Sequence, residues 1–188
     1  MTRREAILTA LGLFVVALVA RIVVASVIVF PKPEDAAYYV GVARNLVEGR
    51  GLVTDALWSF ATPNLVIPHP AFEVWLPLPT FLAAIPMALL GTTFQASQVS
   101  SVLVGAMVPV LAWVLAWDIT AERGLPTGRA RTVAVGVGLT TAVYLPLLLN
   151  SALPDTTMPF TVIVLGACLL MNRTPSAILA VAVSPTHG

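Results

Sequence analysis

The side chains able to do chemistry in this chain are few, and most stand at the edges of apolar runs. Glu34 and Asp35 follow the first run, Asp155 lies between Leu153-Pro154 and Thr156-Thr157, and His69 precedes Pro70. A carboxylate at such a boundary either caps a helix or keeps an oxygen free to accept a proton from a bound hydroxyl. Asp155, flanked by apolar blocks, is costly to desolvate unless it is hydrated or paired. Arg21 falls inside the first apolar run, where a guanidinium either snorkels outward or faces the interior of a bundle. Glu34 and Asp35 are adjacent and could hold a divalent ion, yet no octahedral set of oxygen ligands accompanies them, so neither metal nor other cofactor is indicated. The single cysteine, Cys168, excludes a disulfide framework and a cysteine-based zinc site.

The elements that must position these groups are apolar. Of 188 residues, 58% are hydrophobic and 10% charged, against roughly 25% charged in an ordinary soluble domain. The mean hydropathy of +0.93 arises from separate apolar blocks, which predicts an all-α polytopic transmembrane helix bundle. The net charge of +1 supplies no basic field for a nucleic acid, so the expected surroundings are a lipid bilayer. The blocks are Ile7–Phe30, Ala71–Leu90, Val99–Trp117, Thr132–Leu149 and Thr157–Met171. A last block starts at Ala177 and stops after seven residues, too short to cross, so the chain looks like one truncated transmembrane domain over 1–188.

Arg3 and Arg4 before the first block place the N-terminus in the cytoplasm, and Arg123, Arg129 and Arg131 place the loop 118–131 there too. Between them lie the segment 31–70, expected outside, and two apolar blocks, of which only one can then cross. Ala71–Leu90, interrupted by Pro77, Pro79 and Pro86, is expected to be juxtamembrane or re-entrant; the alternative is that it spans and the arginine loop faces out, against the charge bias. The loop 150–156 returns to the outer side. Within 31–70, Pro33-Glu34-Asp35 opens a helix and Gly49 with Gly51 ends it. Tyr38, Tyr39, Val42, Leu46 and Val47 recur at helical spacing, giving an amphipathic helix on the membrane surface or against the bundle. Tyr38, Tyr39, Trp58 and Trp75 suit interface anchors, Phe60 stands beside Trp58 in the same loop, and Arg44 with Glu48 is spaced for a surface ion pair. Gly105, Gly136 and Gly138 are placed to allow close helix packing.

The run Asp35-Ala-Ala-Tyr-Tyr-Val-Gly-Val-Ala-Arg-Asn-Leu-Val-Glu-Gly-Arg-Gly51 after a first span resembles the first external loop of GT-C glycosyltransferases. The nearest likeness is to the protein mannosyltransferase and aminoarabinose transferase superfamily (glycosyltransferase family 39 or related). His69-Pro70 with Trp75-Leu76 resembles the basic element at the end of that loop, and Asn150 to Pro159 the second external loop. The resemblance covers roughly residues 1–175 and implies a GT-C-like N-terminal half. It further implies an extracytoplasmic site that moves a sugar from a polyprenyl-phosphate donor to an acceptor glycan, lipid or protein. Asp35 would be the general base, Asp155 a second acid that positions donor or acceptor, and His69 a contact for the lipid phosphate. Tyr38 and Arg21 are further candidate substrate contacts. Glu34, whose order with Asp35 is the reverse of the family's, is a further catalytic candidate of open role. The residues themselves leave another reading open: a non-catalytic membrane protein such as a transporter fragment or an assembly subunit.

Overall fold

The computed structural model describes residues 1–32, 34–56 and 66–183, and the side chains of these except Glu34 and residues 175–183. Pro33, Trp58 and Phe60 lie outside the described residues. Seven helices and one short hairpin make up the described chain: α1 Arg3–Val27, α2 Glu34–Val47, β1 Val53–Thr54, β2 His69–Pro70, α3 Leu78–Leu90, α4 Phe94–Glu122, α5 Thr127–Val143, α6 Leu145–Ser151 and α7 Thr157–Val183. The two strands pair antiparallel, Val53 opposite Pro70 and Thr54 opposite His69.

Three helices, α1, α4 and the Thr157–Thr174 part of α7, are long and apolar enough to cross a membrane, and α5 with α6 makes a fourth such unit bent by 53°. α1 turns outward a stripe that includes Leu8, Leu11, Val15, Val19 and Val23, all more than half exposed. Such a stripe has no water-compatible partner and suits lipid. α3 has 13 residues, about 20 Å at 1.5 Å per residue, which is short of a crossing. Proline at its first turn starts α3, and Gly91, at φ 98°, ends it.

α4 is the central helix, packing on α1, α3, α5, α6 and α7. Its 29 residues make it about 44 Å long. Small side chains let its neighbours approach: Ala17 of α1, Ala106 of α4 and Ala142 of α5 form one buried cluster. A Cβ on Gly138 would lie 2.7 Å from Leu13 Cδ1, and one on Gly105 would overlap the Ser151 side chain. Gly136, by contrast, meets nothing within 4 Å, so of the three glycines expected to allow close packing only Gly105 and Gly138 do so.

One end of the bundle is tied by charge. Arg173 Nε donates to Asp118 Oδ2 at 2.7 Å, Asn172 to Glu122 at 2.9 Å, and Arg131 stands 3.8 Å from Glu5. The N-terminus of α1, the α4–α5 turn and the middle of α7 therefore share this end. Helix boundaries differ from the expected ones here. α4 runs on to Glu122 and α5 starts at Thr127, which leaves a turn of residues 123–126 inside the expected loop 118–131. The block at Ala177 is not separate either, because α7 continues without a break from Thr157 to Val183.

The α5–α6 bend has a local cause. Pro146 lacks an N–H, so the carbonyl four residues back, that of Ala142, loses its helical donor. Arg21 supplies one: its Nη1 donates to Ala142 O at 3.2 Å and to Ala17 O at 3.1 Å, and its Nε to Ser151 Oγ at 3.0 Å.

Candidate functional site

The opposite end of the bundle carries α2, the hairpin and the α6–α7 connector. α2 was expected to have one apolar face and has two. Tyr38, Tyr39 and Val42 pack with Ala56, Ala71, Phe72 and Trp75. Val40 and Ala43, with Leu46 and Val47, pack instead against α3 and α4 through Ala83, Met87 and Phe94. The helix is thus held between α3 and the segment around the hairpin. Arg44 and Glu48 do not pair with each other. Arg44 Nε donates to Thr92 O at 3.3 Å, and Glu48 accepts from Thr92 Oγ1 at 3.3 Å, so both fasten α2 to the α3–α4 turn.

Asp155 is buried at the start of α7, where its Oδ1 accepts from the Thr157 N–H at 2.8 Å. That bond two residues ahead is a local turn of the kind aspartate favours before a helix. Its charge is nevertheless poorly accommodated. Burial raises its pKa above the usual 3.8, the Thr157 hydrogen bonds work in the other direction, and the negative charge of Asp35 raises it further. Asp35, near the start of α2, is half-buried and has no hydrogen bond or ion pair among the described residues.

Tyr39 lies with both acids. It is 1% exposed, and burial, then Asp35, Asp155 and Tyr38, push its hydroxyl up to about 12. It therefore stays protonated at any physiological pH and is a neutral donor beside two carboxylates. Its ring meets those of Tyr38 and Trp75 edge-on, with centroids 5.7 and 6.4 Å away. Tyr38 in turn accepts the Phe72 N–H at 2.7 Å and is raised in pKa, chiefly by burial. Phe72 has φ 71°, a left-handed conformation that costs a bulky residue roughly 1–2 kcal/mol and that the Tyr38 hydroxyl helps to hold.

His69 lies on β2, opposite Thr54. Its Nε2 is 3.2 Å from Ala56 O and its Nδ1 3.5 Å from Glu73 Oε2, so both ring nitrogens are engaged. Among the described residues it has no bond to Asp35 or Asp155. Arg21 is elsewhere, enclosed in the bundle at 0% exposure with its Nη2 unpartnered. Glu34 opens α2 next to Asp35.

Several residues at this end were not evident as site components. Asn45 is buried and donates to Val53 O and Asp55 Oδ2, each at 3.0 Å, while accepting from Arg50, and so fastens the hairpin to α2. Gln98 is buried in α4 together with Ser97, Ser101 and Thr120, and Ser151 is buried in the largely apolar α6. Their polarity among apolar neighbours is their one signal in the sequence, and Gln98 stands just before the apolar block Val99–Trp117. Between α1 and α4 runs an apolar groove of about 370 Å³ lined by Leu18, Ile22, Ala25, Gln98, Val99 and Val102. Among the described residues no group of three or more His, Cys, Asp or Glu side chains is placed to hold a metal ion.

What this arrangement can do is present a carboxylate unpartnered among the described residues, a second carboxyl with raised pKa and a protonated phenol near one another. No protein-family model, curated protein sequence or solved structure matches the chain.

Proposed function

We propose that this chain is an integral membrane glycosyltransferase, or the N-terminal part of one, that moves a sugar from a polyprenyl-phosphate donor to an acceptor hydroxyl on the extracytoplasmic face. The observation that carries the reading is that Asp35 and Asp155, distant in sequence, both bear on the Tyr39 hydroxyl, and that the charge of Asp35 bears on Asp155. A transferase of this kind needs a carboxylate open to the acceptor, and Asp35 has a free one. In the proposed step Asp35 takes the proton of the acceptor hydroxyl as its oxygen bonds to the anomeric carbon. The bond from that carbon to the lipid phosphate breaks, and the phosphate leaves with the electron pair. One base with direct attack inverts the anomeric centre.

Asp155, more readily protonated than an ordinary aspartate, is suited to hydrogen-bond the sugar or the leaving phosphate as a neutral donor. The α1–α4 groove offers an apolar slot for the isoprenoid chain. The geometry favours the two acids over His69, which must give up Glu73 or Ala56 before it can meet a phosphate. The N-terminus, the α4–α5 turn and Arg173 at the opposite end would then face the cytoplasm.

Asp35→Asn in the full-length protein tests this. Transfer from a radiolabelled polyprenyl-phosphate sugar falls to background while membrane insertion is unchanged, and retained turnover removes Asp35 from the mechanism. A second reading, a non-catalytic membrane protein such as a transporter fragment, draws on one observation: a buried cation beside a broken helix. On that reading no sugar is transferred, and Arg21→Gln, rather than Asp35→Asn, abolishes function.

A further inference from the structure

Helix C-termini leave carbonyls without intrahelical donors, and in an apolar bundle each needs a partner from elsewhere. Two helices end beside one another at the rim. Ile28 is the C-terminal cap residue of α1 and Ala152 that of α6. One side chain serves both. Gln98 Nε2 donates to Ala152 O at 2.8 Å and stands 3.3 Å from Ile28 O and 3.4 Å from Ala25 O. The amide has two hydrogens for three acceptors, so the two α1 carbonyls share one. Gln98 is 4% exposed on the first turns of α4. It reaches both ends because it is long, and being neutral it avoids the cost of burying a charge; a carboxylate there would have nothing to donate.

The two capped ends lead directly into the acid-bearing segments. Past Ile28 the chain enters α2, with Asp35 in its first turn; past Ala152 it reaches Asp155 within the same connector. We propose that Gln98 is a positioning residue, whose single amide caps α1 and α6 together and so fixes the interval between the segments carrying Asp35 and Asp155. What that interval is for rests on the transferase reading; the double cap does not.

The interval can be read from the proton on Asp155. The ionisable groups bearing on it are Asp35 and Tyr39 of α2. The α4 residues at this end, Phe94, Ser97 and Gln98, are neutral, as are Ser26, Val27 and Ile28 at the end of α1, and Lys32 lies over the Phe30 ring. With the protein in phosphatidylcholine nanodiscs, labelling of Asp155 by a hydrophobic carbodiimide is followed by mass spectrometry as pH varies, since only the protonated acid reacts. Gln98→Met keeps the length and removes the donor. The connector then moves from Asp35 towards solvent, and the labelling midpoint falls by about one pH unit. Gln98→Asn, one methylene shorter but still a donor, gives a smaller fall in the same direction. Gln95→Met, on the exposed side of the same turn, leaves the midpoint in place.

A folded Gln98→Met protein with the wild-type midpoint overturns the proposal. If that variant does not fold, a folded Gln98→Asn protein with an unmoved midpoint does so instead. No sugar donor enters the measurement, so it can fail while Asp35→Asn still abolishes transfer, and the reverse.

Discussion

Arg21 and Asp155 are both ionisable groups enclosed in apolar surroundings, and the molecule accommodates them in opposite ways. Arg21 donates to two carbonyls and a hydroxyl from three different helices. Asp155 accepts from the backbone of its own helix start and otherwise faces a second acid and a phenol. The first group uses Nε and Nη1 in closing a break that Pro146 creates, and only its Nη2 is left without a partner among the described residues. The second keeps unsatisfied capacity next to a like charge, an arrangement that costs stability and is more often found where ligands act. Substitution should therefore separate the two: damage to folding at the Arg21 node, and little damage or even relief at the rim.

The largest contrast is expected between Arg21→Met and Asp155→Asn. The first strands the Ala142 carbonyl in the bundle interior and should lower stability by about 3 kcal/mol. The second removes an ill-placed charge and should leave stability unchanged or raise it. Unfolding in lipid or mild detergent measures both, and equal losses would erase the distinction. Next come the glycines. Gly105→Ala sets a methyl against Ser151 and Arg21 and should cost about 2 kcal/mol. Gly136→Ala, in open space, should gain up to about 1 kcal/mol from helix propensity.

A smaller effect, about 1 kcal/mol, is expected from Tyr38→Phe, which removes the hydroxyl that accepts the Phe72 N–H; an unchanged unfolding temperature would mean that the turn holds itself. The last effect is a slope. Because the native Asp155 keeps a proton that the unfolded chain has lost above 3.8, its stabilising contribution is full at low pH. It drains away as pH climbs through the raised value. Asp155→Asn should abolish that decline, and Asp35→Asn should shift it to lower pH by removing the opposing charge.

Much of this was open to reading in the residues, for reasons that can be named. Blocks of apolar side chains marked α1, α4 and α7 because length and hydropathy are local properties. Pro33-Glu34-Asp35 and Gly49 bracketed α2 closely, since caps act within a turn. In Ala71–Leu90 the helix begins only after Pro77, with Pro79 in its first turn, whereas Pro86, expected to interrupt it, sits inside α3. Partnerships were less accessible. Arg44 and Glu48 have helical spacing, yet both meet Thr92, whose position depends on how α3 returns. The Arg21 contacts required knowing that α5 breaks beside α1. Gln98 could be seen only as a polar exception, because its acceptors belong to helix ends supplied by tertiary packing. For the site, Asp35 and Asp155 stood out by residue type, while Tyr39 looked like an interface anchor until its neighbours were in place.

The length of α4 bears on how this rim would respond to its surroundings. A rod of about 44 Å exceeds a hydrocarbon slab of roughly 30 Å, so on the transferase reading it would either lean or project its ends beyond the acyl chains. Its first turns hold Phe94, against which α2 packs, and Gln98, which donates to Ala152 at the start of the connector. A thicker membrane would draw α4 upright and a thinner one would tip it, so on that reading bilayer thickness would set the height of Asp35 and Asp155 relative to the lipid.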